Sequence, residues 1–223
     1  MPAAKVRKYK IAFFSTPKAA STSVKLVLYK LKEGVEWKGD PDGVHPEFPT
    51  SFPFDSNDFF CLSDYYKFCV IRDPIKRLLS SFYNRIYDHK DLEKCLASKG
   101  LTENLFKEKY PNLNIFPNIE NYLINLQAYQ NFSHSIKHHT ISAKFFIGNQ
   151  LNLYDKIYKI ESLKELAIDL GRLTGKKVLL HRKQVSKKSY IFSELPYHLK
   201  KILISYTQEE YELLSDYYIP PKI

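Results

Sequence analysis

Early in the chain, a run of apolar residues too short for a helix twice breaks into a turn and then into a helical stripe. Tyr9-Lys10-Ile11-Ala12-Phe13-Phe14 reads as a buried strand and Ser15 to Ser21 as a turn. Val24, Val27, Leu28 and Leu31 then recur at helical spacing until Gly34 ends the element. Phe68-Cys69-Val70-Ile71 repeats the theme, with Arg72-Asp73-Pro74 as the junction and Ile75, Leu78, Leu79, Phe82, Tyr83 and Ile86 as the next apolar stripe. Asp73 suits the N-cap of that helix and Pro74 its first turn, leaving Arg77, Ser80, Ser81 and Asn84 for the other faces. Strands alternating with helices predict an α/β fold with a central, mainly parallel sheet flanked by helices. With 223 residues, 44% of them hydrophobic and 26% charged, the chain can bury one full core, which predicts a single domain over residues 1–223.

Residues 35 to 58 hold Gly39, Pro41, Gly43, Pro46, Pro49 and Pro53, a density of breakers that predicts a long irregular excursion, and long loops in compact domains are often functional. The polar middle, residues 88 to 140, predicts helices around Asn104 to Lys109 and Asn121 to Gln130. Ile157 to Ile160 reads as a further strand, and Ser162-Leu163-Lys164-Glu165 as a capping box opening a helix through Leu166 and Leu170. Leu195, Leu199, Ile202, Leu203 and Tyr206 form one late stripe, and Thr207-Gln208-Glu209-Glu210 signals a final helix.

No run approaches the length of a membrane-spanning helix, and Met1-Pro2-Ala3-Ala4-Lys5 lacks the apolar stretch of a signal peptide, which predicts a soluble, cytoplasmic chain. Cys61, Cys69 and Cys95 are odd in number with no Cys-x-x-Cys pair, so reduced and mostly buried thiols are expected rather than a disulfide framework or a zinc site. Lys and Arg number 34 against 24 Asp and Glu, and the balance of +10 favours an anionic partner. Charge by itself does not choose among a nucleotide, a polyanion, nucleic acid and a membrane surface.

A strand running into a tight loop and a helix places backbone N–H groups and a helix N-terminus at the carboxyl edge of the sheet, where anions bind. Pro17-Lys18-Ala19-Ala20-Ser21-Thr22-Ser23 occupies that place. Its small side chains let the backbone approach a phosphate, its hydroxyls donate hydrogen bonds, and Lys18 supplies a mobile charge. The alternative is an ordinary turn with a solvated lysine. Gly-x-x-x-x-Gly-Lys-[Ser/Thr] is absent throughout, which counts against an ATPase or an ordinary kinase. Arg72 at the end of the second strand and Ser80 two turns into the following helix offer a second anion site, a pattern suited to a ligand phosphorylated at both ends.

Pro17 to Ser23 resembles the 5′-phosphosulfate loop of sulfotransferases that use 3′-phosphoadenosine-5′-phosphosulfate (PAPS). Arg72-Asp73-Pro74-Ile75-Lys76-Arg77-Leu78-Leu79-Ser80-Ser81-Phe82-Tyr83 resembles their 3′-phosphate segment, Arg-Asp-Pro-x-x-Arg-Leu-x-Ser-x-Tyr. Order and spacing are similar to the family-2 branch, which includes carbohydrate sulfotransferases, and a weaker likeness runs through Ile157 to Leu163 and Arg182 to Tyr190. The resemblance implies a P-loop-like fold, PAPS as donor and adenosine 3′,5′-bisphosphate as product. It gives Lys18 to the phosphosulfate and the leaving group, Ala19, Ala20, Ser21, Thr22 and Ser23 to the 5′-phosphate cradle, and Arg72 and Ser80 to the 3′-phosphate. Lys183, Ser186 and Lys187 are its candidates for a late basic loop at the adenine or 3′-phosphate.

Sulfuryl transfer needs an in-line nucleophile, neutralised charge on the leaving group and a base for the acceptor's proton, and this scheme requires no metal. Among seven histidines, His139 stands ahead of an apolar stretch where family-2 enzymes often carry a histidine, although Ser142 and Ala143 replace the usual Pro-Gln. His45, in the irregular segment, is the other candidate base. The 17 Tyr and 15 Phe residues can line an acceptor cleft or simply fill the core. The expected acceptor is a hydroxyl, or less readily an amine, of a glycan or small hydroxylated molecule, with no nucleic-acid partner. The rival readings are a nucleotide-dependent phosphotransferase and a non-catalytic polyanion-binding module.

Overall fold

The computed structural model describes residues 3–49, 53–180 and 190–223. In chain order its principal elements are β1 (Ala3–Val6), β2 (Ile11–Phe14), α1 (Ser21–Glu33), α2 (Ser56–Phe60), β3 (Tyr66–Ile71), α3 (Pro74–Tyr83), α4 (Asp91–Ser98), α5 (Glu103–Lys109) and α6 (Ile119–Ile124). They continue with α7 (Leu126–Phe132), α8 (His134–Thr140), α9 (Lys144–Ile147), β4 (Lys156–Lys159), α10 (Leu163–Thr174) and α11 (Tyr197–Leu213). The chain divides into two compact units, one formed by Met1–Arg72 with Ser142–Val185, the other by Asp73–Ile141 with Ser186–Ile223.

The first unit carries the sheet, ordered β1-β2-β3-β4. β2, β3 and β4 run parallel, in registers that include Phe13↔Phe68 and Val70↔Tyr158, while β1 lies antiparallel on the edge with Val6 opposite Ile11. This is the α/β, mainly parallel arrangement that the alternating pattern predicts, and it agrees with the P-loop-like fold that the resemblance implies. Two boundaries differ from expectation. Tyr9 and Lys10 belong to the turn between β1 and β2, because Lys10 adopts φ 50 and its N–H donates to the Arg7 carbonyl at 3.1 Å. β4 stops at Lys159, and Ile160–Ser162 form a 3-10 turn in which the Ser162 side chain makes no cap, so the expected capping box is not formed.

Alternation along β2 sends Phe13 and Phe14 to opposite faces. Phe13 stacks on Phe68 at 5.1 Å, Tyr158 meets Phe68 edge-on, and these rings share a core with Val24 and Leu28 of α1 and Leu166 and Leu170 of α10. On the other side Phe14 packs against Phe54, Phe59 of α2 and Tyr154. Helices therefore flank both faces. The breaker-rich segment after α1 is irregular as expected, apart from a 3-10 turn at Pro41–Val44 and the start of α2. Cys69 is buried and Cys95 partly so, but Cys61 is exposed; all three thiols are free.

The second unit is helical. Asp73 caps α3 by accepting the Lys76 N–H at 2.8 Å, with Pro74 in the first turn, as the sequence predicts. Ile75, Leu78, Leu79 and Phe82 enter a core completed by Phe106, Tyr122, Tyr129, Leu199 and Leu203. Arg77 departs from the expected polar face. It is 2% exposed, and its guanidinium donates in bidentate fashion to Glu210 at 2.8 and 2.6 Å and to the Ile141 carbonyl at 2.7 Å. Glu210 lies on α11, which is one continuous helix: the expected start at Thr207 is an interior position, where the hydroxyl donates back to the Leu203 carbonyl. Tyr211 donates to Asp73 at 2.8 Å, so α11 grips both the cap and the first turns of α3.

Removing one member of a buried ion pair strands the other charge in a poor solvent. Glu210→Ala is expected to lower unfolding free energy by about 3–5 kcal/mol in denaturant titration. A loss within the ordinary surface range of about 0.5 kcal/mol would contradict a structural role for this pair.

Candidate functional site

Between β2 and α1 the backbone makes two unusual turns. Lys18 adopts φ 64 and Ala20 φ 58, both left-handed, a conformation that costs a residue with a Cβ about 1–2 kcal/mol. The turn is tightened by Ala19 N–H donating to the Thr16 carbonyl at 3.3 Å, with the Ala19 side chain fully buried. Arg72, at the end of β3, donates from Nη1 to the Lys18 carbonyl at 3.1 Å. The two segments singled out in the sequence therefore meet: the arginine of one fixes the strained backbone of the other.

Strain of this kind persists where the surroundings enforce it, and successive N–H groups turned inward make an anion-binding concavity. α1 begins directly after Ala20 with no side-chain cap and no acidic residue in its first turn, so the helix's own first turn does not offset the positive end of its dipole. Thr16 adds a buried hydroxyl, 1% exposed, without a hydrogen-bond partner among the described residues. An orphaned donor, a left-handed turn and an uncapped helix start together suit an anion.

His45 completes this region. Its Nε2 lies 3.0 Å from Thr22 Oγ1, and its Nδ1 lies 3.1 Å from Lys25 Nζ. Lys25 also donates to the Phe48 carbonyl at 2.9 Å, and the Asp42 carboxylate stands 3.7 Å from His45 Nε2. The breaker-rich segment thus folds back onto α1 and delivers an imidazole to the hydroxyl face of the loop. Lys25 is only 2% exposed, and that burial pushes its pKa down to about 8.

The remaining predicted residues fall elsewhere. Ser80 is buried on α3 and His139 sits near the end of α8, both in the second unit. His139 Nδ1 is 2.8 Å from the Ser135 carbonyl one turn back, and the Arg77 Nη1 reaches its own carbonyl at 3.4 Å. Lys183, Ser186 and Lys187 lie outside the described residues. Sequence reasoning missed Lys25, Asp42 and Thr16. The signal for Lys25 is its spacing: it sits three residues before Leu28 and four after Ser21, a lysine inside the buried stripe of α1.

Comparison with known proteins adds one match. The model of the sulfotransferase family matches residues 5–218, nearly the whole chain and both units. No curated protein and no solved structure matches the chain.

A buried lysine leaves a thermodynamic signature. Its depressed folded-state pKa means that the unfolded chain binds more protons between about pH 8 and the ordinary lysine value of 10.5, so stability rises with pH across that window. Below pH 8 the full penalty applies, about 3 kcal/mol. Lys25→Met removes it. In unfolding titrations the variant is expected to gain on the parent at neutral pH and to lose about that much ground by pH 10.5; a pH-independent difference would contradict the burial.

Proposed function

Because the chain belongs to the sulfotransferase family, family-2 type, and so transfers sulfuryl groups, we propose that its donor is PAPS, that its acceptor is a hydroxyl of a carbohydrate, and that His45 is the base. Residues 1–223 act as a single sulfotransferase domain in this reading, which is supported by a family match spanning both units. PAPS supplies the sulfuryl group and leaves as adenosine 3′,5′-bisphosphate.

The observation that carries the reading is the 3.0 Å contact between His45 and Thr22. It joins a group able to take a proton to the same loop whose backbone suits an anion. The N–H groups and hydroxyls of Ala19 to Ser23 would hold the 5′-phosphate, and Lys18 would bring its ammonium to the oxygen on which charge accumulates. Arg72 would act twice, holding the Lys18 carbonyl and placing its positive charge beside the 3′-phosphate. The resemblance also gives Ser80 to that phosphate, along with Lys183, Ser186 and Lys187. His45 would accept the acceptor's proton as its oxygen attacks. His139, whose Nδ1 lies 2.8 Å from the Ser135 carbonyl, is the other candidate base.

The test follows transfer of a radiolabelled sulfuryl group from PAPS to a panel of desulfated glycosaminoglycans. His45→Ala is expected to cut kcat by about 10²–10⁴ with little change in donor affinity, and His139→Ala to leave kcat within about threefold. Lys18→Ala should likewise cost far more in kcat than in donor affinity, because its charge matters most in the transition state. The reverse order of the two histidine variants would return the base to His139.

A further inference from the structure

We infer that Lys25 is a positioning residue that sets which nitrogen of His45 carries the proton, and thereby whether Nε2 can act as a base. The inference rests on the reading of His45 as that base. Its foundation is geometric: one imidazole is held at both nitrogens, by Lys25 Nζ at Nδ1 and by Thr22 Oγ1 at Nε2, while the same Nζ donates to the Phe48 carbonyl.

The hydrogen-bond inventory allows two states. As an ammonium, Lys25 has only donors, so Nδ1 must accept from it and the imidazole proton sits on Nε2, pointing at Thr22. Nε2 then has no lone pair for an acceptor's proton. As an amine, Lys25 keeps a donor for the Phe48 carbonyl and offers a lone pair to Nδ1–H, so that Nε2 turns its lone pair toward Thr22 Oγ1, where an acceptor hydroxyl can take the place of the threonine hydroxyl. An acceptor hydroxyl can then pass its proton to Nε2 as its oxygen forms the bond to sulfur and the bond from sulfur to the leaving phosphate oxygen breaks. The imidazolium so formed keeps its Nδ1–H on the lysine amine. Burial of Lys25, with a pKa lowered to about 8, brings both states within reach of mild pH.

Apart from Asp42, the titratable groups concerned stand along α1 or on the elements and segments that adjoin it. Asp42 of the 3-10 turn favours a proton on Nε2 from 3.7 Å. Along α1 stand Tyr29, Lys32 and Glu33, with Lys32 paired to Glu33 at 2.7 Å and to Glu47 of the following segment at 3.8 Å. Lys5 lies on β1 and Lys18 on the preceding loop.

The experiment reads the side-chain nitrogen resonances of isotope-labelled histidine in the whole protein from about pH 6 to about pH 10, with His45 assigned by its disappearance in His45→Gln. The proton is expected to move from Nε2 to Nδ1 with a midpoint near pH 8. In Lys25→Met that step should vanish, leaving only ordinary imidazolium titration. Because the first measurement uses the unaltered chain, it stands even if the variant folds poorly. Turnover of the parent should rise about tenfold over the pH unit below the midpoint, and the variant should lose this limb. A tautomer ratio in the parent that stays fixed from pH 7 to pH 10 overturns the inference. A tautomer step that turnover does not follow leaves Lys25 in control of His45 and instead removes His45 as the base.

Discussion

The strained turn between β2 and α1 is the constraint on which the rest of the site depends. Two residues with side chains, Lys18 and Ala20, hold left-handed backbone there, and the helix that follows starts without a cap. A chain selected only for stability would place glycine at such positions and an Asp or Ser at the helix start. The Arg72 hydrogen bond to the Lys18 carbonyl and the complete burial of Ala19 hold the turn in place. In the proposed reading this turn and the helix start behind it form the surface that receives the anionic end of the donor.

In the proposed reading the irregular segment after α1 adds the reactive part. Regular structure is excluded there by proline and glycine, but the segment is pinned to α1 by Lys25, which reaches the Phe48 carbonyl and the His45 ring together. Burying a lysine against a carbonyl and an imidazole opposes folding at neutral pH. The positioning role proposed for Lys25 would account for such a cost beside the β2–α1 loop. The Arg77–Glu210 pair of the second unit differs in kind: its bidentate geometry and added carbonyl contact tie the guanidinium to its own unit, where it joins α3 to α11.

Much of this was legible in the sequence because it is local. Phe13-Phe14 and Phe68-Cys69-Val70-Ile71 are buried strands by composition alone, and Asp73-Pro74 announces a helix start that the structure bears out. The loop and the arginine could likewise be placed at strand ends before any contact was known. What stayed hidden depends on distant partners. β1 is built from Ala3-Ala4-Lys5-Val6, whose pattern is too weak to declare a strand without β2 beside it. Arg77 reads as a surface residue until Glu210, far along the chain, folds against it. Thr207 resembles a helix start because the capping signal is identical whether or not the preceding turns are helical. Lys25 was overlooked for the opposite reason: a lysine is assigned to the solvent face by default, and only the return of His45 and Phe48 supplies the partners that permit its burial.

A strained loop and a strand-end arginine are proposed to hold a nucleotide phosphorylated at both ends. Calorimetric titration with adenosine 3′,5′-bisphosphate, compared with adenosine 5′-monophosphate at matched salt, tests it most directly. The bisphosphate is expected to bind at least about tenfold more tightly, because the arginine gains a second phosphate. Equal affinity for the two nucleotides, or affinity for both that disappears in moderate salt, would contradict it.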